Sequence, residues 1–466
     1  MKVVVFGAGY VGLVTGTVLA YVGHDVTLID VRNEIVQAIQ AGISPIYEPG
    51  LDPLVRRAVS SGHLRATTEK TVVDTAAVIY IAVGTPPRES GAPNLSSVEQ
   101  VARTIGATLK SSKRPVIINK ATVPIGSVYL VAGWVSEEAR GRLIPGTHFA
   151  VVSNPEFLRE GVAVYDSLYP DRIVVGTEDD WARERVLALY APIVGRRFVH
   201  PPGIPKPALK DSPVPVVNVD SASSEMIKYA ANAFLATKIS FANEIAALCE
   251  LVGADIVRVM AGVGMDSRIG GQFLQAGVGW GGSCFGKDVS ALLYTGREHH
   301  YQLALLDAVH RVNEGQRLKM VQHLRNLLRP IKGRKVAIWG LAFKPQTDDV
   351  RDAPASTIIR ELLKLGVQVS AYDPVALTNF RRMYPDLHIQ YVTDPIAALH
   401  GADALMILTD WHQFQQMDWQ HVARALNYPL LIDGRNLVDP QLARDAGFIY
   451  RGVGRGSGLM DPAFNR

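Results

Sequence analysis

The stretch "GWGGSCFGKD", residues 279–288, places Cys284 among glycines with Lys287 and Asp288 just behind it. Glycines let a ligand approach the backbone closely, and a neighbouring lysine favours the thiolate form of a cysteine. A thiolate is a strong nucleophile, and a nearby carboxylate can orient a base or a water molecule. A small buried cysteine in a turn fits the same residues equally well. On these residues alone, both interpretations stay open.

Two further polar residues are spaced by one helical turn. Lys228 and Asn232 lie in "EMIKYAANAFLA", so a helix would place them on one face. An isolated pair of this kind is more often a solvated lysine beside a polar contact. The small apolar residues around the pair favour burial, and a buried lysine requires an anionic partner or a developing negative charge.

The motif "GAGYVG" supplies Gly-x-Gly-x-x-Gly where an apolar strand would turn into a helix. Gly7 permits the tight turn, Gly9 lets the backbone approach a pyrophosphate, and Gly12 allows close helix packing. Asp30 ends the next predicted strand, 18 residues after Gly12, and can accept hydrogen bonds from ribose hydroxyls. Its charge would repel a 2′-phosphate, which predicts NAD rather than NADP, although Arg32 follows closely.

Polar residues also follow the later strands of this region, in "VGTPP", "KATVPIG" and "SNPEFLREG". Because the carboxyl ends of parallel strands meet at one edge of a sheet, Thr85, Thr122, Glu156 and Glu160 are expected to point toward one crevice. A helix cap or a turn explains any one of them alone. Four polar groups at successive strand ends favour a functional site.

Short apolar runs alternate with amphipathic stretches from Met1 to about Val199, a pattern typical of a parallel sheet with helices on both faces. The predicted strands are "KVVVFG", "DVTLID", "AVIYIAVG", "PVIINKAT", "FAVVSNPE" and "RIVVG". The pattern returns after Gly333 in "RKVAIWG", "GVQVSAYDP", "ALMILTD" and "LLIDGRN". The predicted fold class is therefore α/β, with two doubly wound, Rossmann-like domains joined by a long central helix.

The middle of the chain begins with a proline-rich segment, residues 200–216, that cannot continue a helix or a central strand. After it, Ser223 or Ser224 is expected to cap a long helix that runs to about Gly253. This helix is apolar on more than one face, which indicates burial between domains or against a second subunit. The predicted division is an NAD-binding domain at 1–199, a linker, central helix and cysteine loop at 200–328, a second Rossmann-like domain at 329–450, and a mobile glycine-rich tail at 451–466.

The composition is that of a folded multidomain protein, with 466 residues, 48% hydrophobic and 20% charged. The formal net charge is +4 and the basic residues are scattered, which does not indicate a nucleic-acid partner. Two cysteines, Cys249 and Cys284, cannot form a disulfide framework and fit a reducing cytosol. Glycines interrupt the apolar N-terminal stretch, so neither an export signal nor a membrane span is expected.

Together these motifs resemble those of the UDP-glucose/GDP-mannose dehydrogenase family. The resemblance covers nearly the whole chain, in order, and extends to "KATVPIG", "SNPEFLREG", "GVGWGGSCFGKD" and "GLAFKPQTDDVRDAP". It implies that the C6 alcohol of a nucleotide sugar is oxidised to a carboxylate with two NAD and no metal. By the same resemblance the reaction is UDP-glucose to UDP-glucuronate, for polysaccharide or glycan synthesis, in a cytoplasmic homodimer joined through the central helix.

The resemblance also implies catalytic roles for named residues. Cys284 would add to the intermediate aldehyde as a thiohemiacetal, and oxidation of that adduct would leave a thioester for water to hydrolyse. The other catalytic roles are stabilisation of the oxyanion by Lys228 and Asn232, acid/base catalysis of hydrolysis by Glu156, and placement of the water by Thr122 and Asp288.

Two sets of binding residues are carried over in the same way. The implied cofactor contacts are Gly7, Gly9, Tyr10, Val11, Gly12, Asp30, Arg32, Thr85, Thr122, Glu160, Lys287 and Arg351. The implied nucleotide-sugar contacts are Glu156, Phe157, Leu158, Arg159, Glu160, Lys228, Asn232, Arg268, Phe273, Leu274, Gln275, Gly277, Phe343, Lys344 and Arg435. The second domain has no Gly-x-Gly-x-x-Gly after "AIWG", which fits a UDP site in which Lys344 and Arg435 supply positive charge for the diphosphate.

The sequence departs from the family's usual pattern at Ile35, Ala121, Ser127 and Gly286. Gly286 stands where a proline normally follows the Cys-Phe pair, and the change is expected to loosen the loop behind the thiol. Two alternatives compete with the leading hypothesis. One is the same chemistry on GDP-mannose or a UDP-N-acetylhexosamine, and the other is a non-catalytic regulator that binds a nucleotide sugar. The complete catalytic set disfavours the regulator.

Overall fold

The computed structural model describes residues 1–110, 114–207 and 212–455. Part of the predicted proline-rich linker (208–211) and most of the predicted tail (456–466) therefore lie outside the described residues. The chain divides into two compact units, residues 1–231 with 290–295, and residues 232–289 with the chain from 296 onward. Within the described ranges, no helix is long and apolar enough to cross a bilayer.

The first unit contains an eight-stranded sheet in the order β3-β2-β1-β4-β5-β6-β7-β8. Neighbouring strands are parallel except β6 and β7, which pair antiparallel through Ser153 and Gly176. The strands are β1 (Lys2–Phe6), β2 (Asp25–Ile29), β3 (Leu64–Thr67), β4 (Val78–Ile81), β5 (Val116–Asn119), β6 (Ala150–Ser153), β7 (Ile173–Gly176) and β8 (Val216–Val219).

Six of these strands coincide with the predicted apolar runs, whereas β3 and β8 were not predicted. Because β8 pairs with β7, the first sheet extends past residue 199, where the first domain was expected to end. A single strand explains why the runs are apolar without interruption: Val3 and Val5 pack into the core on one face of the sheet, and Val4 and Phe6 into the core on the other.

Seven α-helices and one 3₁₀ turn connect the described strands of this unit. They are α1 (Tyr10–Tyr21), α2 (Asn33–Gln40), α3 (Leu51–Ser60), the 3₁₀ turn Thr71–Thr75, α4 (Ser96–Thr108), α5 (Ser127–Glu138), α6 (Ala163–Leu168) and α7 (Asp180–Val194). Along the chain, a helix or the 3₁₀ turn separates each strand from the next, as the predicted doubly wound fold requires.

The long helix, α8, spans Ser221–Val252 and starts before the serines that were expected to cap it. The earlier start of the helix has a local cause. Asp220 Oδ1 accepts a hydrogen bond from Ser223 N at 2.7 Å, and its other oxygen accepts one from the Ser223 hydroxyl. Asp220 is therefore the N-cap of α8, because its carboxylate accepts from the backbone N–H of the residue three positions later. Three helices follow, α9 (Ile256–Gly264), α10 (Phe285–Glu298) and α11 (Ala304–Leu327).

The second unit contains a six-stranded parallel sheet in the order β11-β10-β9-β12-β13-β14. Its strands are β9 (Lys335–Trp339), β10 (Gln368–Tyr372), β11 (Gln390–Tyr391), β12 (Ala404–Ile407), β13 (Leu430–Asp433) and β14 (Ile449–Gly452). Its helices are α12 (Pro354–Lys364), α13 (Leu377–Met383), α14 (Pro395–Leu399), α15 (His412–Gln415), α16 (Trp419–Arg424) and α17 (Pro440–Asp445).

The residues at the start of the predicted tail belong to this second sheet. β14 ends at Gly452, and Gly454 N donates to Glu250 Oε1 at 2.8 Å. Arg451 donates to the same carboxylate at 2.9 Å. The fold therefore continues to Arg455, because a partly buried carboxylate on α8 accepts hydrogen bonds from these groups.

Candidate active site

The glycine motif forms the turn between β1 and α1. Gly7 has φ +92°, and a Cβ there would lie 2.7 Å from the Ala82 carbonyl oxygen. At Gly12 a Cβ would lie 1.8 Å from the Gly7 carbonyl oxygen. Gly9 instead faces open space, and among the described residues no side chain caps the first turn of α1. The motif thus leaves helix amides exposed beside a clear approach for an anion.

Asp30 follows β2 and lies against this turn. Its Oδ2 accepts from Ala8 N at 2.9 Å, and its Oδ1 accepts from the backbone and guanidinium nitrogens of Arg32 at 3.0 Å. Burial alone would raise the pKa of Asp30, but the hydrogen bonds from Arg32 and Ala8 hold the pKa below its ordinary value. A turn with an open side at Gly9, a helix N-terminus and an ionised Asp30 fit a dinucleotide: the amides suit its pyrophosphate and the carboxylate suits its ribose.

Tyr10, the first residue of α1, reveals a contact that the sequence did not predict. Its hydroxyl donates to the carboxylate of Glu48, which also accepts from Gly161 N and Ala163 N, both at 2.6 Å. Burial and the adjacent Glu48 raise the pKa of Tyr10, so the phenol stays protonated and can donate. Glu48 therefore ties the glycine turn to the segment after Glu160. Val11 packs against the core.

The predicted strand-end residues are partly brought together. Thr85 Oγ1 donates to the Thr122 carbonyl oxygen at 2.7 Å, which joins the ends of β4 and β5. Glu160 is buried and close enough to Tyr10 for its charge to raise the pKa of that phenol. These contacts pair Thr85 with Thr122 and place Glu160 near Tyr10 of the glycine motif.

Glu156 and Lys228 form a buried ion pair in the first unit. Lys228 Nζ donates to Glu156 Oε1 at 2.8 Å, and Leu158 N donates to Oε2 at 2.8 Å. Burial would raise the pKa of Glu156, but the charge and hydrogen bond of Lys228, with a further contribution from Lys120, keep the pKa below its ordinary value. The side chains are 7% and 5% exposed, so this carboxylate is a base whose charge depends on its lysine neighbours.

Lys120 is a buried residue that the sequence reasoning missed. Its Nζ donates to Asn154 Oδ1 at 3.0 Å and to the Tyr190 hydroxyl at 3.3 Å. A signal was present, because the lysine interrupts the apolar run "PVIINKAT" at its carboxyl end, where functional groups of such sheets collect.

Phe157 and Arg159 lie beside Glu156 and are held by charged neighbours. The guanidinium of Arg172 lies 3.6 Å from the centroid of the Phe157 ring, and Lys228 Nζ lies 5.4 Å from it. Arg159 forms a two-pronged ion pair with Asp166, at 2.7 and 2.9 Å. Two cations therefore hold the Phe157 ring, whereas Arg159 is paired with Asp166.

Cys284 lies in the second unit, immediately before α10. Its carbonyl oxygen accepts from Asp288 N at 2.9 Å, and its Sγ is 3.6 Å from Ser283 Oγ. The residue is partly exposed, so a substrate can reach the sulfur. Cys249 is buried within α8, and burial raises the pKa of its thiol. The two thiols therefore differ in access.

Asp288 links two other predicted residues, Asn232 and Lys287, in the second unit. It is fully buried, its Oδ2 accepts from Asn232 Nδ2 at 2.6 Å, and its Oδ1 accepts from Lys287 Nζ. Asn232, Lys287 and Asp288 thus form one hydrogen-bonded chain beside the cysteine turn. The i, i+4 spacing on α8 places Lys228 and Asn232 one turn apart, each bonded to a carboxylate.

The glycines around Cys284 are required by packing within the protein. A Cβ at Gly279 would lie 2.6 Å from Asn313 Oδ1, one at Gly281 would lie 2.3 Å from the Asp352 carbonyl oxygen, and one at Gly282 would lie 2.7 Å from the Phe343 ring. The sequence reasoning ascribed these glycines to ligand approach. In the structure they let helix α11 and the segment after β9 close on the loop.

Trp280 fixes this loop through both of its backbone groups. Asn313 accepts from Trp280 N at 2.8 Å and donates to its carbonyl oxygen at 3.0 Å, and Arg317 donates to the same oxygen at 3.0 Å. The indole donates to Ser240 Oγ at 3.0 Å. None of these supporting residues was predicted, since they are distant in sequence from the cysteine.

Gly286 lies in the first turn of α10. A Cβ there would lie 3.3 Å from Asp352 Oδ2, which belongs to a carboxylate that Arg317 holds at 2.7 Å. That a glycine loosens the loop stays a prediction.

Comparison with known proteins identifies the family. The NAD binding domain of the UDP-glucose/GDP-mannose dehydrogenase family matches residues 1–194, its central domain matches 222–315, and its UDP binding domain matches 337–440. The chain belongs to the UDP-glucose/GDP-mannose dehydrogenase family. As a member it is an NAD-dependent oxidoreductase.

Three similar proteins show how far the likeness extends. The UDP-glucose 6-dehydrogenase TuaD of Bacillus subtilis is 43% identical over 97% of this chain and 93% of its own. The structure of a UDP-glucose dehydrogenase from Pyrobaculum islandicum is 39% identical, with a TM-score of 0.86 over 97% of both chains. A UDP-D-ManNAc dehydrogenase from Pyrococcus horikoshii is 26% identical, with a TM-score of 0.82 over 98% of this chain and 100% of its own.

In the family's UDP binding domain, Arg435 is held by carbonyl oxygens. Its Nε donates to Leu408 O and its Nη2 to Phe343 O, both at 2.8 Å. Burial lowers the pKa of Arg435, although the negative charges of Asp410 and Asp433 raise it. Lys344 Nζ lies 5.6 Å from the centroid of the Phe343 ring. Two cations and an aromatic ring therefore lie together here, and contact of Lys344 and Arg435 with a diphosphate stays a prediction.

Of the other predicted substrate residues, some are packed or hydrogen-bonded within the protein, and Arg268 is exposed. Gly277 N donates to Asn243 Oδ1 at 2.8 Å, Leu274 is buried in the core, and Phe273 packs edge-on against Phe285. Gln275 Nε2 donates weakly to Gly271 O at 3.4 Å. Arg268 instead is 87% exposed, and its guanidinium pairs with Asp266 at 2.6 Å.

Arg351, a predicted cofactor contact, is held within the protein by its guanidinium and by its backbone carbonyl group. Its guanidinium pairs with Asp349 at 2.7 Å, and its carbonyl oxygen accepts from Gly282 N at 3.0 Å. The residue thereby supports the cysteine loop through its backbone.

Asp373, which follows β10, occupies in the UDP binding domain the place that Asp30 has in the NAD binding domain. Its Oδ2 accepts from Leu341 N at 2.8 Å, from Ala342 N at 3.1 Å and from the indole of Trp411 at 3.2 Å. The carboxylate is 1% exposed. Unlike Asp30, it is covered by an aromatic side chain and therefore cannot meet a ribose.

Proposed function

We propose that this protein oxidises UDP-glucose to UDP-glucuronate with two NAD, through covalent intermediates on Cys284. One observation carries the proposal: Lys228 and Asn232, on successive turns of α8, are both buried and both bonded to a carboxylate, Glu156 and Asp288. The relatives named for UDP-glucose are 43% and 39% identical, against 26% for the one named for an acetamido sugar, which supports the choice of substrate.

In the first oxidation, the C6 hydroxyl of the sugar releases its proton to water and C6 loses a hydride, so that the alcohol becomes an aldehyde. The ammonium of Lys228 and the amide of Asn232 donate to the oxygen as negative charge develops on it. Bound NAD supplies the hydride acceptor for both oxidations. The glycine turn and Asp30 hold it, with Asp30 selecting a free ribose hydroxyl.

In the second oxidation, Cys284 makes a hydride donor of the aldehyde. The thiolate adds to the carbonyl carbon, a carbon–sulfur bond forms, and the oxygen becomes the thiohemiacetal oxyanion that Lys228 and Asn232 stabilise. Loss of a hydride from that carbon re-forms the carbonyl and leaves a thioester on Cys284.

Hydrolysis releases the acid. Glu156 takes a proton from water, the hydroxide oxygen bonds to the thioester carbon, and the carbon–sulfur bond breaks to return the thiolate. Thr122 and Asp288 position that water. Overall, an alcohol, one water and two NAD give a carboxylate, two NADH and protons.

The experiment that tests the function is a stoichiometry measurement. With limiting UDP-glucose and excess NAD, two NADH should form per sugar, with UDP-glucuronate as the product. Formation of NADH with GDP-mannose or a UDP-N-acetylhexosamine but not with UDP-glucose would overturn the substrate, and no turnover with any nucleotide sugar would favour a non-catalytic regulator.

Cys284→Ser tests the covalent step. We expect production of the acid to fall by at least about a thousandfold, because a hydroxyl is a far weaker nucleophile at neutral pH, while UDP-glucose binding persists in calorimetry. Cys249→Ser is the matched control and should keep turnover, since that thiol is buried in α8. Normal turnover by the Cys284 variant would exclude the mechanism.

We further propose a homodimer formed through α8, in the cytosol. Phe234, Phe241 and Leu248 recur every seven residues on α8 and are 66%, 48% and 54% exposed. A repeated apolar seam of this kind supports packing against a second copy of the helix. The two free thiols, Cys249 and Cys284, support a reducing compartment.

A further inference from the structure

Lys120 is a buried cation whose hydrogen bonds, within the part of the chain that the structure describes, go to neutral atoms. It follows β5 directly, is 9% exposed, and donates to the Asn154 amide oxygen and the Tyr190 hydroxyl. Burying an ammonium is costly unless negative charge lies close by. The nearby charge is that of Glu156, whose carboxylate Lys120 helps to stabilise electrostatically.

A hydrogen-bonded network fixes the ammonium in place. Tyr190 donates to Asn154 Oδ1 at 2.7 Å, and Tyr80 donates to the Tyr190 hydroxyl at 2.9 Å. Asn154 Nδ2 donates to Val174 O at 2.7 Å. Asn154 lies two residues before Glu156, so the network also anchors the turn that carries the carboxylate.

The other charged groups around this turn are engaged elsewhere. Arg159 pairs with Asp166, Arg172 stacks on the Phe157 ring, and Asp171 is exposed. The groups that act on Glu156 are therefore Lys228 from α8 and Lys120 from the end of β5, together with the backbone N–H of Leu158.

Lys228 has two tasks in the proposed reaction. In the structure its ammonium is bonded to Glu156, and in the reaction it must stabilise the substrate oxyanion. When Lys228 turns toward the oxyanion, Glu156 becomes a buried carboxylate without its hydrogen-bonded cation, which is strongly unfavourable unless another charge compensates.

We propose that Lys120 is a positioning residue that keeps Glu156 ionised while Lys228 is engaged with the substrate, and so sustains hydrolysis of the thioester. This inference rests on the proposed function. It assigns the two lysines to different steps: Lys228 to the oxyanion and Lys120 to the base.

Lys120→Met removes the charge and keeps most of the volume. In a rapid-mixing experiment with excess UDP-glucose and NAD, we expect a burst of two NADH per active site followed by a steady rate that is up to about tenfold slower on the acid limb of the pH profile. The acid limb of the steady rate should move up by about one pH unit, because loss of a nearby cation raises the pKa of Glu156.

Two variants separate charge from shape. Lys120→Arg keeps the charge, and Tyr190→Phe removes a neutral partner of Lys120, so both should leave the acid limb where it lies in the unmodified protein. Lys120→Gln serves if the methionine variant does not fold, as judged by circular dichroism, and should shift the limb in the same way as methionine.

An unshifted acid limb in a folded Lys120→Met or Lys120→Gln protein would overturn the inference. An equal shift in Tyr190→Phe would also overturn it, since the effect would then follow packing rather than charge. Failure of the proposed function is separately visible: the unmodified protein would not give two NADH per UDP-glucose.

Discussion

Asp30 and Glu156 are buried carboxylates that stay ionised for the same reason, a cation held within hydrogen-bond distance. Their cationic partners differ in sequence separation and in exposure. Arg32 lies two residues from Asp30 and is half exposed, whereas Lys228 lies 72 residues from Glu156 and is buried. The sequence left the role of Arg32 in doubt, and the structure shows it paired with Asp30. Two nitrogens of its guanidinium, Nε and Nη2, are therefore occupied by Asp30.

Asp30→Asn should relax the preference for NAD over NADP. The amide oxygen can still accept from Ala8 N, but Arg32 is freed to bind a 2′-phosphate. We expect the ratio of kcat/KM for NAD to that for NADP to fall by at least about tenfold in steady-state kinetics. Adding Arg32→Ala should remove the gain with NADP. An unchanged ratio in Asp30→Asn would mean that Asp30 does not select the cofactor.

Residues predicted from sequence are those whose local spacing carries the signal. Gly7 and Gly12 are required by a turn that the motif spells out, and Lys228 and Asn232 share a helix face. Asn313 carries no such signal, because the group it serves, Trp280, is distant in sequence. Lys120 does interrupt an apolar run, but nothing in its local sequence connects it to Glu156. Pairing between distant residues is decided by how strands and helices pack, which a single sequence does not state.

Strands were predicted where burial on both faces produces an apolar run. β3 was missed because "LRAT" alternates, with Arg65 exposed and paired with Asp25. β8 was missed because it is half-buried and follows a proline-rich segment, and β11 has only two residues. Elements at the edges of a sheet lack the signal that identified its centre.

The first turns of α8 join it to the rest of the first unit. Glu225 is buried and accepts from Gly126 N at 2.5 Å and from Val128 N at 3.1 Å, at the N-terminus of α5. Burial, with the charge of Glu178, raises the pKa of Glu225 to about 7 in spite of those hydrogen bonds. Glu178 accepts from Ser221 N at 3.1 Å and its pKa is lowered by hydrogen bonding in spite of partial burial.

Glu225→Gln should change the pH dependence of stability. In the folded protein Glu225 holds its proton up to about pH 7, but in the unfolded chain it releases it near 4.5, so the free energy of unfolding falls as pH rises between these values. The glutamine variant lacks this loss. Its stability relative to the unmodified protein should therefore rise from pH 5 to 7 and level off above, in urea unfolding.

Glu178→Gln is the matched control, with the opposite sign. The lowered pKa of Glu178 contributes stability that is present above its unfolded pKa and lost as pH falls through its folded pKa. The variant should therefore be less stable than the unmodified protein at pH 7, by an amount that shrinks toward acid pH. Parallel stability profiles for Glu225→Gln and the unmodified protein would contradict the role given to Glu225.

At the scale of the whole molecule, the exposed seam on α8 predicts the assembly. A charge at its C-terminal end, Leu248→Asp, should convert a dimer to a monomer in analytical ultracentrifugation, because an unpaired carboxylate would be buried in the contact. Leu442→Asp on α17 is the control: it is 49% exposed against 54% for Leu248, and should leave the mass unchanged. A monomeric unmodified protein, or a dimeric Leu248→Asp variant, would exclude this interface.

The repeated strand and helix pattern predicted two lobes of one fold, and the family domains at 1–194 and 337–440 match two lobes with different ligands. One difference between the lobes lies at Asp30 and Asp373. Asp373 binds backbone amides on its own turn and lies beneath the indole of Trp411. An aromatic side chain thus covers in one lobe the carboxylate that, in the other lobe, lies beside the glycine turn. In a chain with two such lobes, the indole over that carboxylate marks the lobe in which the acid is closed to a ribose.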